Sequence, residues 1–101
     1  MNAKDEFIYY TKGLEVKCAT LFGVEFSRLD GFLAVLRVGY SEEEYSEFLK
    51  EIDFEYNDGF GGQNLDGYIW HEDGSWYERG EYNGCEWWEF KRYPVIPNYL
   101  M

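Results

Sequence analysis

The sequence predicts one α+β domain, with helices packed on one face of an antiparallel sheet in the order α-β-β-α-β-β-β. Three observations carry that expectation. Asp73-Gly74 and Asn83-Gly84, each set between alternating apolar residues, mark two tight hairpins in the C-terminal half. Ser41, with Glu44 three residues on and a stripe of Tyr45, Phe48, Leu49 and Ile52, marks a helix. Aromatic residues make up 22% of the chain, enough to bury a core within 101 residues.

The elements follow in order. Residues 4–12 read as a first helix, with Phe7, Tyr10, Thr11 and Leu14 at helical spacing and Gly13 placed to end it. Leu14, Val16, Cys18, Thr20 and Phe22 then alternate with Glu15, Lys17, Ala19 and Leu21, which is strand periodicity. After a loop through Ser27–Gly31, the apolar run Phe32–Val38 reads as a central strand. In the second helix Glu42, Glu43 and Glu44 occupy the first turn, where the helix dipole favours carboxylates. Its polar side carries Glu43, Glu47 and Glu51. Asn57–Gly62 reads as a flexible turn, and a three-stranded meander follows: Tyr68–Glu72, Ser75–Tyr82 and Cys85–Lys91. Pro94 and Pro97 make residues 94–101 an extended tail.

Two-residue loops set the register of the meander. Across Asn83-Gly84, Glu81 faces Glu86, Arg79 faces Trp88, Glu78 faces Glu89 and Tyr77 faces Phe90. Across Asp73-Gly74, His71 faces Trp76, Trp70 faces Tyr77 and Tyr68 faces Arg79. One face then holds Tyr68, Trp70, Tyr77, Arg79, Trp88 and Phe90, and is expected to meet the helices. The other holds Ile69, His71, Trp76, Glu78, Trp87 and Glu89, and is expected to be partly exposed. Glu78/Glu89 and Glu81/Glu86 are like-charge pairs, each destabilising by about 0.2–1 kcal/mol. The plain reading is a solvated edge relieved by Arg79 and Lys91. The functional reading is an anionic patch beside Trp76 and Trp87, the arrangement of a protein-binding hot spot.

Charge is the other strong signal. The net charge is −11, and eleven of the twenty carboxylates fall between Glu42 and Asp73 with one cation, Lys50. That segment carries ten of the eleven net negative charges. Such a field repels nucleic acid, anionic lipid and nucleotide phosphates, and attracts cationic protein grooves. No apolar run approaches the roughly 20 residues of a membrane span, and the N-terminus has no signal-peptide pattern. Cys18 and Cys85 are expected to be reduced thiols in a cytosolic protein, a single bridge between them being the alternative.

Residues that carry chemistry are sparse. Glu78 and Glu89 face each other directly, without the cleft a glycosidase places between its carboxylates. His71, the one histidine, reads as a cross-strand aromatic contact with Trp76. Cys18, Cys85 and His71 are three candidate zinc ligands where four are needed. Asp53–Gly59 has a faint likeness to a calcium loop, but its glycine is one position late and no Glu closes it. Gly59, Gly61 and Gly62 lack the lysine of a phosphate loop. The expectation is a protein with no cofactor, no metal and no catalytic group.

The run Gly59-Phe60-Gly61-Gly62-Gln63-Asn64-Leu65-Asp66-Gly67-Tyr68-Ile69-Trp70 continues with Asp73-Gly74-Ser75-Trp76-Tyr77-Glu78-Arg79-Gly80-Glu81-Tyr82, Glu86-Trp87-Trp88-Glu89 and Pro94-Val95-Ile96-Pro97. Over about residues 41–97 it resembles a group of small uncharacterised proteins of tailed bacteriophages. The chain departs from their pattern at Asn83 and Cys85, where Asp and Ser are usual. The resemblance implies a phage origin and action inside a bacterial cell, and carries over no site residues.

Two functions of different kind follow. One is an inhibitor that mimics nucleic acid toward a basic, nucleic-acid-handling host protein. Its residues would be Glu43, Glu47 and Glu51, about 6 Å apart along the helix, with Asp53 and Glu55. The other is a protein-binding adaptor, or a self-associating protein, that uses Trp76, Glu78, Trp87 and Glu89, with the acidity serving solubility.

Overall fold

The fold was described from a computed structural model, over residues 1–56 and 62–101. Of the expected turn at Asn57–Gly62 only Gly62 lies within the described residues; Asp58, Gly59 and Gly61 of the calcium-like and phosphate-loop readings lie outside them. The described residues form helix α1 (Ala3–Thr11), strands β1 (Val16–Gly23) and β2 (Leu33–Leu36), helix α2 (Glu42–Glu51), strands β3 (Leu65–His71), β4 (Trp76–Tyr82) and β5 (Cys85–Lys91), and a 3-10 turn at Asn98–Leu100. All strand pairs are antiparallel, and the spatial order is β2-β1-β3-β4-β5. The fold class is the expected one.

Local chemistry explains the helix boundaries. Asn2 caps α1 by accepting the Asp5 amide, one residue earlier than periodicity alone indicated. At α2 the Ser41 hydroxyl accepts from the Glu44 amide at 3.1 Å, and the Glu44 carboxylate accepts from the Ser41 amide at 3.2 Å. Two amides without intrahelical partners are thereby satisfied. Phe48 and Ile52 on the apolar stripe are buried, and Tyr45 and Leu49 pack beside them. Phe7 of α1 meets Phe48 of α2 edge-on, with ring centroids 5.3 Å apart. Both helices therefore cover one face of the sheet, over Ala19, Leu21, Ala34, Leu36, Leu65, Ile69 and Trp88. The chain after α2 is stitched to the start of α1 by Ala3 N to Phe54 O and Tyr56 N to Met1 O, each 2.9 Å.

Three expectations are corrected. The run Phe32–Val38 is not a central strand: β2 is four residues long and lies at the sheet edge. An apolar run is consistent with burial on both faces, but Leu33 and Val35 point away from the helices and are exposed. Strand β1 is not a plain alternation either. A bulge between Val16 and Cys18 turns Val16, Ala19 and Leu21 inward and leaves Cys18, Thr20 and Phe22 on the other face.

The third correction concerns the first hairpin. His71 N donates to Ser75 O at 2.9 Å, and Gly74 lies in the left-handed region at φ 89°. The loop is therefore the three residues Glu72-Asp73-Gly74, ending in a left-handed glycine. The extra loop residue shifts the pairing by one: Trp70 faces Trp76, Ile69 faces Tyr77 and Tyr68 faces Glu78. A one-residue shift exchanges the faces of a strand. Ile69 and His71 are inward and buried, whereas Tyr68 and Trp70 are outward and exposed, the reverse of the expectation. The second hairpin holds as read. Asn83 and Gly84 both have positive φ, the expected pairings from Tyr77/Phe90 to Glu81/Glu86 are all present, and Tyr82 faces Cys85 at the loop.

Candidate functional site

The acidic row stands on α2. Glu43, Glu47 and Glu51 are exposed along the side opposite Phe48 and Ile52. With Val35, Ser46 and Lys50 they line a shallow groove of about 800 Å³ beside the β2 edge. Lys50 lies 3.4 Å from Glu47, both side chains well exposed, so this pair is worth little in stability. Among the described residues Glu43 and Glu51 form no ion pair. Glu44 is engaged in the cap.

Asp53 and Glu55 do not belong to that row. Asp53 accepts from Asn2 at 3.0 Å and from Lys4 at 3.3 Å, and these bonds hold its carboxyl below the usual carboxylate range. Glu55 lies 3.3 Å from the Met1 amine. Both carboxylates tie the segment after α2 to the start of α1.

The second expected patch lies on the outer face of the sheet, away from the helices. Trp76 Nε1 donates to Glu78 at 2.9 Å, and the Trp76 ring meets Tyr93 edge-on at 5.3 Å. The Trp87 indole lies against Gly80, its cross-strand partner. A methyl group at Gly80 would fall 2.5 Å from the indole, so only glycine admits that ring position. Glu89 faces Glu78 and is 3.7 Å from Lys91. Trp76, Glu78 and Trp87 are half-buried by these contacts. Two aromatics that sequence reasoning placed inside, Tyr68 and Trp70, are exposed on this face as well, and stack at 5.5 Å.

Sequence reasoning missed a buried ionic cluster on the inner face. Arg79, its side chain fully enclosed, lies 3.0 Å from Glu6 and 3.1 Å from Glu86. Its guanidinium also bonds the Tyr56 hydroxyl and sits 4.8 Å above the Trp88 ring. Tyr56 donates to Glu6 at 2.6 Å. Glu86 accepts from the amides of Asn64 (2.6 Å) and Leu65 (3.1 Å). Burial, reinforced by the bond to Glu6, raises the Tyr56 hydroxyl well above its usual range. Burial works against the charge on Arg79, but Glu6 and Tyr56 more than offset it, so the guanidinium stays charged. The inward parity of Arg79 was an available signal. Glu86 has the same inward parity as Trp88, but Glu6 and Tyr56 lie far from both in sequence and gave no signal.

His71 is a second correction to the chemistry. It does not face Trp76. It is 2% exposed, and its Nδ1 is 2.9 Å from the Ser75 hydroxyl, which is 2.6 Å from Asp73 Oδ1. A serine hydroxyl has one proton, and the charged acceptor at 2.6 Å takes it. Ser75 therefore accepts from Nδ1, and Nε2 is the unprotonated nitrogen. Nε2 has no hydrogen-bond partner among the described residues. This order leaves no base against the serine oxygen, unlike a catalytic triad. It locks the three-residue turn instead. Burial lowers the His71 pKa, and hydrogen bonds from Ser75 lower that of Asp73.

A cleft of about 920 Å³ opens between the end of α1, the start of α2 and Val16–Lys17. Tyr40 and Tyr45 stack at 5.7 Å along it, and Tyr40 donates to Val16 O at 2.6 Å. Lys12 and Lys17 share its wall with Glu15, Glu42 and Glu72. Both cysteines are free, and among the described residues no cluster of His, Cys, Asp and Glu is arranged to hold a metal ion.

No match to known proteins was found. No family model fits the chain, and no curated protein or solved structure is significantly similar to it. No described helix is long and apolar enough to cross a membrane.

Proposed function

We propose that this chain is a binding protein, not an enzyme, which inhibits a basic, nucleic-acid-handling protein inside a bacterial cell. The α2 carboxylates would stand where phosphates otherwise bind. The observation that carries this reading is the exposed row Glu43, Glu47 and Glu51 on a helix whose cap and buried stripe hold it rigid. A rigid row of like charge loses little entropy on docking and steers a cationic partner from a distance. The resemblance to bacteriophage proteins supports the cellular setting. Asp53 and Glu55 add to the field but not to the contact, since both are held by the N-terminal residues.

The test is capture of partners from bacterial lysate on the immobilised chain, followed by affinity measurement for each captured protein as salt rises. The expected partner binds nucleic acid, is displaced by added DNA, and weakens steeply with ionic strength. Reversing Glu43, Glu47 and Glu51 together to Lys should abolish capture while leaving the circular dichroism spectrum unchanged. A partner that resists salt and ignores DNA would sink the reading.

The alternative is an adaptor that works through its aromatic sheet face. The exposure of stacked Tyr68 and Trp70 favours it. Trp70→Ala would weaken such a partner and leave an α2-directed partner unaffected.

A further inference from the structure

Two apolar surfaces of this chain lack a cover. The first is the outer sheet face, where Leu33 of β2 and Tyr68 and Trp70 of β3 are 38–61% exposed, with Val35 at its rim beside the α2 groove. Both helices lie on the opposite face. The second is the C-terminal tail. Tyr93, Val95, Ile96, Tyr99, Leu100 and Met101 are each 63% exposed or more. Exposed apolar residues this dense mark an interaction segment.

We propose that these two surfaces cover each other between two copies of the chain, each lending residues 92–101 to the outer sheet face of the other. The tail already starts on that face: Tyr93 packs against Trp76, an outer residue of β4. The six extended residues 92–97 reach roughly 20 Å, the 3-10 turn at Asn98–Leu100 adds roughly 6 Å, and a five-stranded sheet is about 19 Å across, so the tail can cross it. The tail is not extended to its end as expected: Pro94 and Pro97 hold residues 94–97 extended, and Asn98–Leu100 coil into a 3-10 turn; both restrictions limit its ordering cost. The tail also adds no repulsion of its own to that between the two acidic bodies. In a chain of net charge −11, residues 92–101 carry no acidic side chain and one basic residue, Arg92, whereas the receiving face is edged by Asp66, Glu78 and Glu89. The exchange is reciprocal, so it closes as a two-fold dimer and does not propagate. Two tyrosines per tail offer roughly 300–500 Å². With both tails and the faces beneath them, burial reaches roughly 1,200–2,000 Å², the range of specific interfaces.

Sedimentation of the full chain across the micromolar range, at low and moderate salt, tests this. The expected species is a dimer that tightens with salt, because screening relieves repulsion between two acidic bodies. That response is opposite to the one expected of the α2-directed partner, so the two proposals fail independently. The double variant Val95→Asp, Ile96→Asp should weaken dimerisation by roughly tenfold or more, with the circular dichroism spectrum unchanged because the tail lies outside the core. Leu33→Asp should do the same from the receiving side. A wild-type monomer, or a dimer indifferent to the tail variant, overturns the proposal. Hydrogen exchange separates the remaining case: a monomer with a protected tail would place the tail on its own sheet and overturn the exchange between copies.

Discussion

On the inner face of the sheet Arg79 sits between Glu6 and Glu86, with Tyr56 and Trp88 around its guanidinium and no solvent. On the outer face Glu78 and Glu89 oppose each other, with Trp76 bonded to one and Lys91 3.7 Å from the other. Both faces belong to the same two strands, β4 and β5, and both are rich in aromatics. They differ in how charge is handled. A buried charge costs several kcal/mol unless paired and hydrogen-bonded, so the inner carboxylates converge on one cation and two backbone amides. In water two charges at 4 Å interact by only about 1 kcal/mol, so the outer pair can face like to like. The arrangement that looked awkward in the ladder is therefore two cases: Glu81/Glu86 is relieved from inside by Arg79, and Glu78/Glu89 is left to solvent.

The contrast can be broken most directly at Arg79. Arg79→Met leaves Glu6 and Glu86 buried without their cation, and should cost about 3–5 kcal/mol in urea unfolding. A loss below about 1 kcal/mol would mean that water reaches the cluster. A smaller effect is expected from the His71 turn lock. Burial depresses the His71 pKa, so the unfolded chain takes up its proton first as pH falls. The stability His71 contributes is complete above about pH 6.5 and is lost as pH falls toward its folded pKa, by at most about 1.4 kcal/mol per pH unit. His71→Phe should flatten that slope relative to wild type, and an unchanged slope would refute the assignment. Ser41→Ala, which opens the α2 cap, should cost about 1 kcal/mol, read as a shift in melting temperature. The smallest effect belongs to the outer pair. Glu89→Gln should stabilise by roughly 0.2–0.5 kcal/mol at low salt and by nothing measurable at high salt. An Arg79-sized effect there would mean that the outer face is covered.

Several features were legible because they are local. The capping box of Ser41 and Glu44, the stripe ending at Ile52 and the Asn83-Gly84 loop each lie within a few residues, and the structure contains all three. The acidic row was legible for the same reason, since Glu43, Glu47 and Glu51 repeat at helical spacing on a helix with a clear start. The first hairpin was misread although Asp73-Gly74 has the same form as Asn83-Gly84. Its outcome depended on Asp73 and His71 recruiting Ser75 into the turn, a competition among side chains that dipeptide preference does not contain. The error then spread, because strand periodicity is two and one extra residue moved Tyr68 and Trp70 outward.

By itself the sequence determined the fold class, the second helix and its charge, and the last hairpin, all set by contacts between near neighbours. Only the tertiary structure decided that β2 is an edge, that Tyr68 and Trp70 face outward, that Asp53 and Glu55 bind back to α1, and that Arg79 joins Glu6 and Glu86 in the interior. Those outcomes rest on residues up to 73 positions apart. Their proximity is the result of folding, and no pattern along the chain records it.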